Sequence, residues 1–154
     1  LSSLLDPTRI SLQLVGTDRT AALAEVARLL EGHPDIADYA GFYEALLARD
    51  RQATTSLGNG IALPHARTAQ VRKTVVAVGR CTRGIPDDSG PRLRLFFVLG
   101  TPRSDPGDYL QLVSSLCRLV KDPAHLDLLL RAPTPEAFIA TVTDLEDKVL
   151  GPAK

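Results

Sequence analysis

Hydrophobic and polar positions follow two different periods along the chain, and the change of period predicts its first elements. Residues Ile10–Leu14 alternate one by one, as in a half-buried strand. From Arg19 to Leu30 the apolar residues recur every three or four positions instead, which is typical of a helix with one face on a core. Asp18 stands between the two patterns, and its side chain is well suited to capping that helix.

The middle of the chain predicts a second helix and then three strands. Asp38 is expected to cap the helix, whose apolar side carries Phe42 and Leu46 and whose last turn holds Arg49–Arg51. Apolar, β-branched and aromatic runs predict the strands, which are Ile61–Leu63, Val71–Val78 and Leu93–Leu99.

Three more helices are predicted toward the C-terminus. The first begins at Asp108. Each of the other two begins with a proline that directly follows a capping side chain, and the two caps are Asp122 and Thr134. Cys117 falls on the apolar side of the first of these helices and is expected to be a buried small side chain. His125, in the first turn of the next helix, is expected to point to solvent.

The predicted order is strand, helix, helix, three strands and three helices. Such an order favours a sheet that lies between layers of helices. We therefore predict an α/β fold over residues 1–154, a single-domain sandwich in which helices flank both faces of a mixed β-sheet of four or five strands.

Composition narrows the classes of function. The 154 residues carry 18 basic and 18 acidic side chains, so no charge excess suggests a nucleic-acid or anionic-membrane surface. No apolar run reaches the roughly 20 residues of a membrane-spanning helix, and the N-terminus shows no charged-then-apolar leader pattern. Both observations favour the expectation of a cytoplasmic protein without membrane insertion. Two cysteines without metal-ligand spacing give no reason to expect a metal.

One histidine has a context that suggests chemistry. The turn Gly58–Gly60 leads into the apolar run Ile61–Leu63, which Pro64 ends, so His65 is expected at a strand end. Loops and strand ends on a rigid scaffold often carry functional residues. From residue chemistry alone, however, a histidine hydrogen-bonded to a neighbour and without a chemical role is the simpler interpretation.

The longer pattern around His65 changes that balance. It reads Arg49-Asp50-x-x-x-Thr54-Thr55-x-x-Gly58-Asn59-Gly60-Ile61-Ala62-Leu63-Pro64-His65. This segment resembles the active-site segment of the fructose/mannitol/nitrogen-type IIA components (EIIA) of the bacterial phosphotransferase system. The departures from the family pattern are mild: Asp50 stands for glutamate, Thr54 for serine and Leu63 for isoleucine. The resemblance extends over nearly the whole chain and implies the sandwich fold predicted above.

The resemblance implies a role for His65 and for the groups around it. His65 would take a phosphoryl group from a small histidine phosphocarrier protein and pass it on, with no cofactor, metal or nucleotide needed because donor and acceptor are both proteins. The groups expected to stabilise the phosphoryl oxygens are Arg49, Thr55, the backbone amides of Gly58, Asn59 and Gly60, and Tyr109. Arg49 has an alternative interpretation, as a solvated arginine that interacts with the carbonyl end of its helix.

Tyr109 marks the main departure from the family. The family has a second histidine at the start of the long helix, opposite the phosphorylated one, and the corresponding run here is Tyr109–Leu116. A phenol, with a pKa of about 10, can donate a hydrogen bond but carries no positive charge near neutrality. Tyr109 is therefore either a neutral phosphoryl ligand or only a packing residue.

Three functions remain open from the sequence. The leading hypothesis is a phosphocarrier of the phosphoenolpyruvate-dependent sugar phosphotransferase system, phosphorylated on His65, which passes the phosphoryl group to a sugar-specific IIB domain. The second is a nitrogen-type regulatory EIIA, whose phosphorylation state switches binding to a target protein. The third is a degenerate module that keeps the fold and binds partners without being phosphorylated. The sequence does not select a sugar.

Overall fold

The computed structural model describes residues 1–87, 90–104 and 106–151, without the side chains of Pro106 and Asp108. The helices in these residues are α1 (Arg19–Arg28), α2 (Tyr39–Gln52), α3 (Pro106–Val120), α4 (Pro123–Arg131) and α5 (Pro135–Leu150). The strands are β1 (Ile10–Ser11), β2 (Ser56–Gly58), β3 (Ile61–Ala62), β4 (His65–Arg67), β5 (Val75–Ile85) and β6 (Leu93–Thr101).

The strands in the described residues form one six-stranded mixed sheet, in the order β1-β5-β6-β3-β2, with β4 also paired to β6. The pairs of β1 with β5 and of β3 and β4 with β6 are parallel, whereas β5 and β6 are antiparallel, as are β2 and β3. The predicted mixed sheet is confirmed. It has six strands because the segment around His65 forms three short strands where one was predicted.

Strands β3 and β4 lie end to end along the same side of β6. Ile61 in β3 pairs with Leu95, and His65 in β4 pairs with Leu99, so the two short strands follow β6 in a constant register. Pro64, between them, donates no backbone hydrogen bond, but its carbonyl accepts one from the amide of Leu99. The backbone on both sides of His65 is therefore fixed to the central strand.

Helices cover both faces of the sheet, as predicted. Along β6, Phe96 and Val98 pack with residues of α1 and α2, whereas Leu95, Phe97 and Leu99 pack with residues of α3, α4 and α5. A strand buried on both faces reads as a continuous apolar run, which explains the sequence of β6.

The caps and helix faces were predicted with mixed success. Asp18 accepts a hydrogen bond from the amide of Ala21, as a cap should, whereas Asp38 precedes α2 without a capping side-chain bond. The prediction for Cys117 is wrong because Leu116 and the residues three and four positions after it form the inner face of α3, so Cys117 is exposed. His125 is also not solvent-directed, since its side chain is only 12% exposed.

The close packing of α1 on β5 gives a stability prediction. Gly79 lies under α1, where an added Cβ would overlap Cγ2 of Val26 and approach Cδ1 of Leu14 to 2.8 Å. Gly79→Ala should therefore lower the free energy of unfolding by about 1–3 kcal/mol, the usual cost of overpacking a core. Urea denaturation measures the change.

Gly90→Ala is the matched control for this experiment. A Cβ at Gly90 would meet nothing within 4 Å, so its effect should stay within about 0.5 kcal/mol. Equal stability of the Gly79→Ala variant and the parent would contradict the packing described here.

Candidate functional site

Both ring nitrogens of His65 are engaged in hydrogen bonds. Nδ1 lies 3.0 Å from the carbonyl oxygen of Leu63, and Nε2 lies 3.1 Å from the hydroxyl of Tyr109. A carbonyl can only accept, so Nδ1 carries the ring proton of the neutral imidazole and Nε2 holds the lone pair. Nε2 is therefore the nucleophilic atom, and the Tyr109 hydroxyl donates to it.

Tyr109, near the start of α3, lies across from His65, the place that the resemblance implied. The centroids of the two rings are 4.9 Å apart, with an angle of 29° between the ring planes. The ring of Tyr109 also packs against the core formed with α3–α5. Tyr109 thus contributes packing as well as a polar contact with His65.

Arg49 shares a cavity of about 440 Å³ with both rings. The described residues that line it are Ala45, Arg49, His65, Ala66, Arg67, Tyr109 and Leu110. Arg49 Nη1 also donates a 2.7 Å hydrogen bond to the carbonyl of Ala53, just beyond the end of α2. The side chain therefore bonds to the carbonyl end of its helix and also lines the cavity that contains His65, whereas its expected role toward a phosphoryl group stays a prediction.

An ion pair that the sequence did not suggest supports the end of α2. Arg19, the first residue of α1, donates from Nε and Nη2 to the two carboxylate oxygens of Asp50, at 3.0 and 2.8 Å. Both side chains are largely buried, with 14% and 12% exposed. Because Asp50 follows Arg49 directly, this bidentate pair fixes the backbone from which Arg49 extends.

The structure does not bring Thr55 or the Gly58–Gly60 turn to His65. Thr55 lies beside Leu63, whose amide donates to the Thr55 carbonyl at 2.9 Å, but Thr55 is not among the described residues that line the cavity. The turn precedes β3, and the register along β6 separates Ile61 from His65 by four residues, or about 13 Å. The turn therefore lies outside the described lining of the cavity, and the expectation that the amides of Gly58, Asn59 and Gly60 contact a phosphoryl group on His65 stays a prediction that this geometry does not support.

The turn has a structural explanation instead. Gly58, Asn59 and Gly60 all have positive φ, which lets β2 fold back tightly on β3. A Cβ on Gly60 would lie 2.5 Å from the carbonyl oxygen of Arg92. The Gly-Asn-Gly sequence thus sets the path of the backbone that leads to His65.

Arg67 is a cavity residue to which the sequence analysis gave no role. Side chains two positions apart on a strand point to the same face, so Arg67 follows His65 on β4. Its side chain is exposed, and Nη2 donates to the carbonyl of Arg103 at 3.1 Å. The alternation of side chains along a strand, counted from His65 onward, is the sequence signal that could have placed Arg67 on the same face as His65.

Burial and the nearby positive charge of Arg49 keep the imidazole of His65 neutral near pH 7. Burial lowers the pKa of His65 below its usual 6.5, and the positive charge of Arg49 lowers it further, against the opposing effects of the Leu63 carbonyl and Asp50. Burial also raises the pKa of Tyr109, so the phenol keeps its proton. The site therefore presents a neutral nucleophile, a hydroxyl donor and guanidinium groups, which together suit an anionic electrophile. Among the described residues, no group of His, Cys, Asp and Glu could hold a metal ion.

Comparison with known proteins agrees with this geometry. Residues 3–144 match the family model described as "Phosphoenolpyruvate-dependent sugar phosphotransferase system, EIIA 2". The chain belongs to this family. The resemblance found from the segment ending at His65 is thereby confirmed.

Relatives of this EIIA chain carry names of two kinds. It is 28% identical over 149 residues to a nitrogen regulatory protein of Pseudomonas aeruginosa, with 96% of this chain and 97% of the relative covered. It is also 28% identical over 141 residues to the fructose-specific EIIABC component of Bacillus subtilis. The aligned region covers 90% of this chain but only 22% of that larger protein.

The EIIA fold is shared with solved structures. The crystal structure of the nitrogen regulatory protein IIA-Ntr from Neisseria meningitidis superposes with a TM-score of 0.83 at 24% identity, over 92% of this chain and 97% of the other. None of the helices in the described residues is long and apolar enough to cross a membrane.

The lowered pKa of His65 can be tested directly. NMR titration of the imidazole should give a midpoint below 6.5. Arg49→Gln removes a positive charge beside the ring and should raise the midpoint, whereas Arg51→Gln, which changes an exposed arginine in the same helical turn, should not. Equal midpoints for the Arg49→Gln variant and the parent would contradict the proximity of Arg49 and His65.

The same shift makes stability depend on pH. The unfolded chain binds the His65 proton more readily than the folded chain, so stability should fall as the pH drops below about 6.5 and through the folded-state pKa. Replacing His65 by Gln should remove this contribution, which denaturation at pH 5 and pH 7 would measure.

Proposed function

We propose that this EIIA domain is a phosphocarrier that is phosphorylated on Nε2 of His65. The phosphoryl group would come from a phosphorylated histidine phosphocarrier protein and would pass to a second protein. The observation that carries the proposal is the pair of bonds on the ring. Leu63 holds the proton on Nδ1, so the lone pair of Nε2 faces a cavity that also contains Arg49.

The transfer step follows from this arrangement. The lone pair of Nε2 forms a bond to phosphorus while the bond from phosphorus to the donor nitrogen breaks, and the electrons of that bond stay on the donor nitrogen. No proton has to leave His65 for the attack, because Nδ1 keeps its proton and donates it in the hydrogen bond to the Leu63 carbonyl. Arg49 would stabilise the negative charge on the phosphoryl oxygens.

Tyr109 has to change partners during the step. Its hydroxyl donates to Nε2 in the unphosphorylated protein, so that bond must break before phosphorus can approach. Once the new bond has formed, the hydroxyl can donate to a phosphoryl oxygen instead. Tyr109 would thus satisfy the nitrogen in one state and the phosphoryl group in the other.

Two acceptors fit the proposal, and the relatives support one each. The fructose-specific EIIABC relative favours a sugar-specific IIB domain as acceptor. The nitrogen regulatory relative, which matches over almost its full length, favours a regulatory target whose binding depends on the phosphorylation of His65. Incubating the phosphorylated protein with a purified IIB domain distinguishes the two acceptors, since a IIB acceptor removes the phosphoryl label and a regulatory target does not.

The cytoplasmic location expected from the sequence stays part of the proposal.

His65 should be the phosphorylated residue. After incubation with the phosphorylated phosphocarrier, the parent should carry one acid-labile phosphoryl group per chain, and His65→Ala should carry none. His33→Ala and His125→Ala serve as controls and should be labelled like the parent, because neither residue lines the cavity. Label on a folded His65→Ala variant would overturn the assignment, and an unlabelled parent would favour the unphosphorylated interaction module.

Variants of Tyr109 should separate its hydrogen bond from its packing. Tyr109→Phe keeps the ring and loses the donor, so the transfer rate should fall by about a hundredfold, as when one donor to a developing anion is removed. Tyr109→His should add a step in the rate between roughly pH 6 and pH 8, because an imidazole titrates there and a phenol does not. Rates equal to the parent for both variants across this range would make Tyr109 a packing residue alone.

A further inference from the structure

We propose that Arg67 is a second phosphoryl-binding cation of the His65 site, a role that rests on the proposed phosphocarrier function. The residue lies two positions after His65 on β4 and therefore on the same face of the strand. It also lines the cavity that contains His65, Arg49 and Tyr109.

The guanidinium of Arg67 makes one side-chain hydrogen bond to the residues that the structure describes. Nη2 donates to the carbonyl of Arg103, in the loop that follows β6. Because β4 pairs with β6, with Arg67 opposite Thr101, this carbonyl is supplied by the backbone only two residues further along. A guanidinium has five N–H donors, and this one bond to a described residue leaves the others available to an anion that enters the exposed side of the cavity.

The negative charge of a phosphoryl group can engage more than one cation. A phosphoryl group near neutral pH carries about two negative charges. Arg49 supplies one positive charge, and part of its hydrogen-bonding capacity is directed to Ala53. Tyr109 supplies none, since its phenol stays neutral. Among the described residues of the cavity, Arg67 is the remaining group with a permanent positive charge.

The two arginines approach the phosphoryl site from different parts of the fold. Arg49 extends from the end of α2 and Arg67 from β4, so they reach His65 from different elements. A planar guanidinium can bind two oxygens of one phosphoryl group, and two such groups can bind different oxygens. Neither arginine titrates in the physiological range, so the charge that faces the phosphoryl group would not vary with pH.

A small phosphoryl donor gives the sharpest test, because it excludes any effect of Arg67 on protein docking. Phosphoramidate transfers its phosphoryl group to an imidazole nitrogen while ammonia leaves. The rate of His65 labelling by phosphoramidate should fall about tenfold or more in Arg67→Gln. This is less than the roughly hundredfold loss typical of a buried electrostatic donor, because Arg67 is exposed. Arg67→Lys, which keeps the charge but not the fork of donors, should fall between Arg67→Gln and the parent.

Arg72→Gln is the matched control. Arg72 is also an exposed arginine bonded to a backbone carbonyl, that of Pro34, but it lies outside the cavity. It should label at the parental rate, and melting temperatures of all variants should stay within about 2 °C of the parent.

The outcomes separate this inference from the function on which it rests. If the parent is labelled and Arg67→Gln matches it with phosphoramidate, the inference is wrong and the phosphocarrier function stands, even if the protein donor is slowed. If Arg67→Lys is as slow as Arg67→Gln, the charge of Arg67 is not what the phosphoryl group needs, and the inference is equally wrong. If the parent takes label from neither donor, both proposals fail.

Discussion

The hydrogen bond between Nδ1 of His65 and the carbonyl of Leu63 decides which ring nitrogen is available for chemistry, and the rest of the site depends on it. Its acceptor belongs to a backbone that the sheet holds on both sides. The amide of Leu63 bonds to Thr55, and the carbonyl of Pro64 bonds to Leu99 on the central strand. The tautomer of the imidazole is thus set by main-chain geometry, which a substitution of one side chain elsewhere would change little.

The cationic part of the site is built differently, from elements that meet only in the folded chain. Arg49 depends on the end of α2, which the pair between Arg19 and Asp50 joins to the start of α1. A partly buried bidentate pair of this kind is costly to break, because the partner left behind keeps an uncompensated charge. The Glu-to-Asp departure from the family motif at position 50 therefore preserves a carboxylate with an evident partner.

The sequence predicted those features that arise from local patterns. Helical periodicity located the helices, Asp18 was recognised as a cap, and the family resemblance singled out Arg49, His65 and Tyr109. Long-range geometry was out of its reach: the partner of Asp50 lies 31 residues away, and the distance of Gly58–Gly60 from His65 depends on pairing with β6. Cys117 was misplaced because one helical position, about 100° of rotation, separates a buried side chain from an exposed one.

The contact between Tyr109 and His65 also has an optical consequence. The chain contains three tyrosines and no tryptophan, so its near-ultraviolet spectrum comes mainly from phenol rings. Tyr39 and Tyr43 stack on each other in α2, whereas the Tyr109 hydroxyl is bonded to His65. Any chemistry at Nε2 changes the hydrogen bond of one phenol out of three. Tyr109, at the position where the resemblance implied a histidine, thus gives this site an intrinsic chromophore, readable by difference absorbance or fluorescence without a label.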